Sequence, residues 1–174
     1  MNVSELTPGK KGKADPMSET TRHPTDTPPQ AINHIDHVGI IVYRENLPKY
    51  VQRLSDLLGI EFDEPIVNEV AGCVAALSWG SGFEIMAPIR HEGRFWDRLQ
   101  RFGEGTCTIV FGVPDLDAAI ERARSHGAEV DFEAKLEGDE PWLARFSTFR
   151  ETRLHAFADD EFNATLTLSE IVPV

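Results

Sequence analysis

The sequence predicts an α+β fold in which two βαβββ modules form a curved eight-stranded mixed sheet around a cavity, with helices outside. Three observations predict it. A buried-strand pattern over 34–42 leads directly into an amphipathic helical pattern and then into three short strand-like runs. The same order restarts near residue 106, an internal repeat of about 70 residues. The copies also superpose in detail: His37-Val38-Gly39-Ile40-Ile41-Val42 lies over Thr108-Ile109-Val110-Phe111-Gly112-Val113 with its apolar face in register, and Leu58-Gly59-Ile60-Glu61-Phe62 lies over His126-Gly127-Ala128-Glu129-Val130. One such unit cannot close its sheet alone, so two would pair.

Residues 1–31 carry Pro8, Pro16, Pro24, Pro28 and Pro29 among polar residues and offer almost nothing apolar to bury. Such a segment does not offset its ordering entropy, so a disordered tail is expected, with the domain spanning 32–174. Within that domain, module one covers 33–88, a linker 89–104 and module two 105–172. The first strand is rich in β-branched residues, and alternation puts His37 on one face with Ile35, Gly39 and Ile41. An imidazole on a stiff element beside a glycine is how a ligand or an acid/base group is presented. His34, on the opposite face at the strand edge, reads as surface.

Apolar residues at 47, 50, 51, 54, 57 and 58, with Pro48 in the first turn and Gly59 as the stop, predict a helix. Strands are expected over 61–67, 72–79 and 83–87, the last two joined through Gly80-Ser81-Gly82. The linker is expected to hold a short helix over 94–102. In the second copy a strand over 106–113 precedes a helix over 116–126 that Gly127 closes, and further strands are expected over 129–132, 146–157 and 165–172. Residues 134–144 read as a loop.

The 174 residues have 41% hydrophobic content, enough for a packed core, and no apolar run long enough to cross a bilayer. No signal-peptide core is visible, so a cytoplasmic location is expected, with Cys73 and Cys107 as reduced core thiols. The net charge is −12, from 17 basic against 29 acidic side chains. The tail is neutral, since Lys10, Lys11, Lys13 and Arg22 balance Glu5, Asp15, Glu19 and Asp26. All the excess is therefore on the domain, which argues against nucleic acid and anionic membranes as partners and leaves a small-molecule substrate. No Gly-rich phosphate loop, nucleophile elbow or cysteine zinc cluster is present.

Ile35-Asp36-His37-Val38-Gly39-Ile40-Ile41-Val42, Phe83-Glu84-Ile85-Met86-Ala87-Pro88 and the run from Gly103-Glu104-Gly105-Thr106 to Val113-Pro114-Asp115-Leu116 resemble the vicinal oxygen chelate superfamily. That group contains glyoxalase I, methylmalonyl-CoA epimerase, extradiol dioxygenases and bleomycin-resistance proteins. The Gly-Glu-Gly lead-in is most similar to the epimerase and glyoxalase branches. The resemblance implies a divalent metal (Zn, Ni, Co, Mn or Fe) held by the first and last strands of each module, and a homodimer. Residue by residue, it implies His37 and Glu84 as the ligands of module one. In module two Thr108 stands where those branches have histidine. Face parity puts Thr167 at the last position, whereas a one-residue bulge would bring Glu170 there instead. Parity also sends Cys107 to the opposite face from Thr108.

With threonine at both second-module positions, His37 and Glu84 read instead as an acid/base pair, with Thr108 and Thr167 holding a substrate carbonyl. Arg153, together with Arg145 and Arg150, suits a carboxylate or phosphate, and His155 is a candidate for the cavity rim. Phe95, Trp96 and Trp142 are candidates for the entrance or an interface. The leading expectation is an epimerase, isomerase or lyase acting by enolisation next to a carbonyl, with Glu84 as base or ligand and His37 as ligand or acid. The alternative is a metal-free protein that sequesters a small molecule, as the bleomycin-resistance branch does. An extradiol-type dioxygenase comes third.

Overall fold

The structure, a computed structural model, describes residues 34–69, 71–136, 142–156 and 163–174, the side chains of 131 and 132 excepted. The expected N-terminal tail lies outside the described residues. Eight strands, β1 (His34–Ile41), β2 (Ile66–Asn68), β3 (Cys73–Ser78), β4 (Phe83–Pro88), β5 (Gly105–Gly112), β6 (Glu129–Lys135), β7 (Phe146–His155) and β8 (Thr165–Pro173), form one curled mixed sheet in the order β2-β3-β4-β1-β5-β8-β7-β6. Each half repeats one connectivity. β1 runs parallel to β4, and β5 runs parallel to β8, while β1 and β5 pair antiparallel and join the halves within one chain.

Helices α1 (Leu47–Leu58) and α3 (Leu116–Ser125) follow β1 and β5. Pro48 sits in the first turn of α1, and Gly59, at φ 66°, takes the left-handed conformation that ends it. Asp115 caps α3 by accepting from the Ala118 amide at 2.9 Å. Val42, Leu47, Val74, Ala76, Ile85 and Ala87 bury one face of the first half, with Tyr50, Val51 and Leu54 of α1 against them. Val113, Leu116, Ala119, Ile120 and Leu168 form the equivalent core under α3. The linker helix α2 (Arg94–Phe102) packs elsewhere: its Leu99 joins Ile41, Cys73, Ala75, Met86 and Cys107 on the cavity side of the sheet.

Two elements differ from expectation. The strand expected over 61–67 shrinks to Ile66–Asn68, because Pro65 has no amide to give to a ladder and only Asp63 N bonds back, to Leu77 O at 2.8 Å. Strand β6 runs on through Lys135 into the expected loop, pairing Lys135 with Arg150, and the loop's residues 137–141 lie outside the described ones. Among the described residues no helix is long and apolar enough to cross a membrane.

Two bulges in the β1–β5 ladder shape the cavity. Ile35 pairs with Phe111 and His37 with Val110, which leaves Asp36 as the extra residue. Gly39 pairs with Thr108 and Ile40 with Thr106, which leaves Cys107 as the other. A bulge sets two residues opposite one and resets the alternation there. Cys107 consequently joins Thr108 in lining the cavity, and its thiol lies 3.5 Å from Gly39 O. The opposite-face placement expected from parity is thereby corrected.

Candidate functional site

The cavity is lined from both halves of the sheet and has two compartments that meet at His37, Asn68, Glu84 and Glu151. β1 contributes His37 because Gly39, two residues on, leaves room: a Cβ there would collide with the Thr108 methyl and approach Met86 Cε at 2.8 Å. Gly82 matters similarly. At φ 68° it turns the chain into β4, and a Cβ on it would stand 2.8 Å from Asp36 O, so only glycine brings Glu84 this close to β1.

His37 Nε2 lies 3.6 Å from Glu84 Oε2, with both side chains under one-fifth exposed. Its other nitrogen, Nδ1, is 2.8 Å from Asp36 Oδ1. A carboxylate at Nδ1 fixes the proton there and leaves Nε2 aimed at Glu84. Glu151 comes across the cavity from β7, where Phe149, Glu151 and Arg153 face inward. Arg94, in the first turn of α2, closes the same compartment from above together with Arg98.

The electrostatics follow from burial and crowding. Burial pushes the Glu151 carboxyl up to about 7; His37 works against the shift, and Glu84 and Asp36 add to it. Burial likewise raises Glu84, against the pull of His37 and Arg94. For His37, burial alone would lower the imidazole, but the Asp36 hydrogen bond and the Glu84 and Glu151 charges outweigh it and raise it. Burial works to raise Asp36 too, and the hydrogen bond and charge of His37 overcome it and hold Asp36 below its ordinary value. Burial pushes both cavity thiols, Cys73 and Cys107, up to about 12, so neither serves as a thiolate near neutrality.

The residues singled out from sequence separate into two groups. His37, Glu84, Thr108, Thr167 and Arg153 all line the cavity. Glu170 lies on the opposite face of β8, accepting from Arg150 Nη1 at 3.2 Å and from the Leu116 amide at 3.4 Å. Strand β8 pairs with β5 without a shift, so the bulge needed to bring Glu170 inward is absent, and its candidacy as a metal ligand falls. Arg150 also leaves the site, bound to Asp117 at 2.7 Å. Arg145 meets Asp63 at 3.1 Å. His155 is exposed at the end of β7 opposite Glu129, away from the cavity. Phe95 lines the cavity and Trp142 its other compartment, whereas Trp96 packs on His91 and Tyr43.

Asp36, Glu151 and Arg94 also line the cavity, and sequence reasoning did not single them out. Asp36 enters only through a bulge, which leaves no sequence mark. Glu151 was accessible, because it shares strand parity with Arg153.

The donor set does not fit the implied metal. Thr108 Oγ1 donates to Thr165 O at 3.2 Å and lies 3.1 Å from Thr167 Oγ1, so the second half presents two mutually bonded hydroxyls where ligands are expected. Among the described residues no group of three His, Cys, Asp or Glu side chains is placed to hold one ion. Among the described residues His37 is the only histidine lining either compartment, whereas an extradiol dioxygenase uses two.

A family model described as the glyoxalase/bleomycin resistance protein/dioxygenase superfamily matches residues 36–146. Among solved structures, methylmalonyl-CoA epimerase from Mycobacterium tuberculosis is 25% identical with a TM-score of 0.66, covering 87% of this chain and 97% of that one. A variant of the Streptomyces coelicolor methylmalonyl-CoA epimerase in complex with 2-nitronate-propionyl-CoA is also 25% identical, with a TM-score of 0.63 over 80% of this chain and 98% of that one. Among curated proteins none matches the chain by sequence.

Proposed function

The chain belongs to the glyoxalase/bleomycin resistance protein/dioxygenase superfamily, and within it we propose an enzyme that removes and returns a proton at a carbon next to a carbonyl, an epimerase- or isomerase-type reaction. The observation that carries this reading is Glu151: a partly buried carboxyl lining both compartments opposite His37, pushed up to about 7 by desolvation. A base poised near neutrality is what abstraction of a weakly acidic C–H requires.

In the reaction the C–H bond breaks toward Glu151, which takes the proton, and the electron pair moves into the carbonyl as an enediolate. His37 donates from Nε2 to the developing oxyanion, with Asp36 holding the ring and stabilising its positive charge. The hydroxyl oxygens of Thr108 and Thr167, whose protons are engaged between themselves and Thr165 O, add polar contacts beside His37 on the neighbouring strands. Glu84 stands on the other half of the sheet from Glu151, and burial raises the fraction of it that holds a proton. Return of a proton from Glu84 to the other face of the planar intermediate inverts the carbon, and return from Glu151 restores it. Arg94 and Arg153 hold an anionic group of the substrate at the α2 end, where Arg98 is spent on the Gly103 and Thr106 carbonyls. The likeness to methylmalonyl-CoA epimerases supports the same reaction class. A homodimer and a cytoplasmic location belong to this proposal as expectations, the first tested by sedimentation.

The test is deuterium exchange from solvent into C2 of methylmalonyl-CoA, followed by proton NMR. Exchange by the wild type that is lost in Glu151→Gln supports the reading. Absence of exchange in folded wild-type protein would favour the sequestering alternative, for which the aromatic wall of the second compartment is the specific support.

A further inference from the structure

The two compartments that meet at His37, Glu84 and Glu151 differ in chemistry. One, of about 170 Å³, holds Arg94, Arg98 and Arg153. The other, of about 100 Å³, is walled by Trp79, Trp142 and Phe149, with Ile66, Leu77 and Ile171 beside them. The indoles of Trp79 and Trp142 stack with centroids 6.3 Å apart and planes 23° from parallel, and Phe149 meets Trp142 edge-on at 5.5 Å.

The aromatic wall is braced from behind. Trp79 Nε1 donates to Asp63 Oδ2 at 2.9 Å, and Arg145, itself 3.1 Å from Asp63, lies over the Trp79 ring at 5.6 Å. Both indoles are only partly buried and border open space, unlike the closed cores under α1 and α3. A rigid pair of partly exposed indoles beside a cavity costs little entropy to use and offers a flat apolar surface.

From this arrangement we infer that the substrate carries an aromatic or similarly flat apolar group on the carbon that reacts, seated against Trp79 and Trp142, with its anionic group at the arginine end. The inference rests on the proposed reaction at Glu151 and His37, because that places the reacting carbon where the compartments meet. Each substituent of that carbon then points into one of them. A ring at the far end of a long carrier is not the occupant, since the aromatic wall shares His37, Glu84 and Glu151 with the reaction centre.

The experiment uses calorimetric titration of the Glu151→Gln protein, which binds without turnover, with phenylmalonate and methylmalonate. Both carry the same carboxylates and differ only in the group on C2. Phenylmalonate binding roughly tenfold or more tightly is expected, from the extra apolar area and ring stacking. Trp142→Leu, which keeps an apolar side chain and loses the stack, brings the two ligands near parity. Equal binding overturns the inference, and so does a preference that Trp142→Leu leaves unchanged in a protein with native circular dichroism. Displacement of phenylmalonate by adenosine 3′,5′-bisphosphate that Trp142→Leu weakens also overturns it, by giving the wall to a nucleotide base. A phenyl preference in a wild type that exchanges no α-proton on methylmalonyl-CoA or phenylmalonyl-CoA overturns the catalytic reading and leaves the ring compartment standing, so the two failures are distinguishable.

Discussion

His37 Nε2 faces Glu84 Oε2 at 3.6 Å while Asp36 Oδ1 holds Nδ1 of the same ring at 2.8 Å. The imidazole is thus fixed in tautomer and in direction by a residue that a bulge brings alongside it. Asp36→Asn removes the charge and keeps the shape. The His37 pKa then falls, because the hydrogen bond and charge that raise it against burial are weakened. Proton NMR of the imidazole C–H resonances across pH reads this directly, and a His37 titration unmoved by the substitution would contradict the positioning role.

Glu151→Gln replaces the proposed base with an isostere that cannot take a proton. Exchange at C2 drops by about 10²–10⁴-fold, the usual contribution of a positioned acid/base group. Substrate-analogue binding persists, which separates this variant from one that merely disrupts the cavity.

The same residue gives stability a pH dependence. Unfolded Glu151 loses its proton near 4.5, whereas the folded protein keeps it to about 7. The unfolded state therefore binds fewer protons between those values, so stability is fully present below 4.5 and falls as pH rises through 7. The contribution is up to ~3 kcal/mol for a shift of this size. His37, also raised, acts in the same direction from 6.5 upward. Denaturant titrations at several pH values should show the slope, and Glu151→Gln should flatten it.

Gly39→Ala is expected to destabilise the fold by about 1–3 kcal/mol, as overpacking does. The new methyl would meet the β-branched Thr108 side chain, which has little freedom to withdraw, and Met86 Cε at 2.8 Å, which has more. Chemical denaturation measures the loss. The double variant Gly39→Ala with Thr108→Ser, lacking the clashing methyl, recovers part of it.

Because Thr108 and Thr167 bond each other, added zinc, nickel, cobalt or manganese is expected to leave the thermal midpoint and the exchange rate unchanged, and purified protein to carry substoichiometric metal. Elemental analysis beside a thermal melt checks this. A stoichiometric ion lost in both His37→Ala and Glu84→Ala would overturn the metal-free scheme.

Most of the fold was legible because its signals are local. The amphipathic spacing of α1 with Pro48 and Gly59 at its ends, the cap at Asp115, and the glycines between β3 and β4 each act within a few residues. Strand 61–67 was overextended because its apolar composition reads the same whether or not a partner strand accepts its amides, and Pro65 settles that only in context. In the site, period-two alternation is again local, and it sufficed to put His37, Glu84, Thr108 and Thr167 on one side of the sheet.

By itself, then, the sequence determined the two-module order, the helix limits and the inward placement of His37, Glu84, Thr108 and Thr167, since each depends on side-chain period and on backbone preferences of adjacent positions. Only the tertiary structure decided that Asp36 and Cys107 bulge into the cavity, that Glu170 pairs with Arg150 outside it, and that Glu151 meets His37 across it. Those outcomes depend on ladder register, desolvation and Coulomb fields summed over strands far apart in the chain, and no local pattern of residues encodes such a sum.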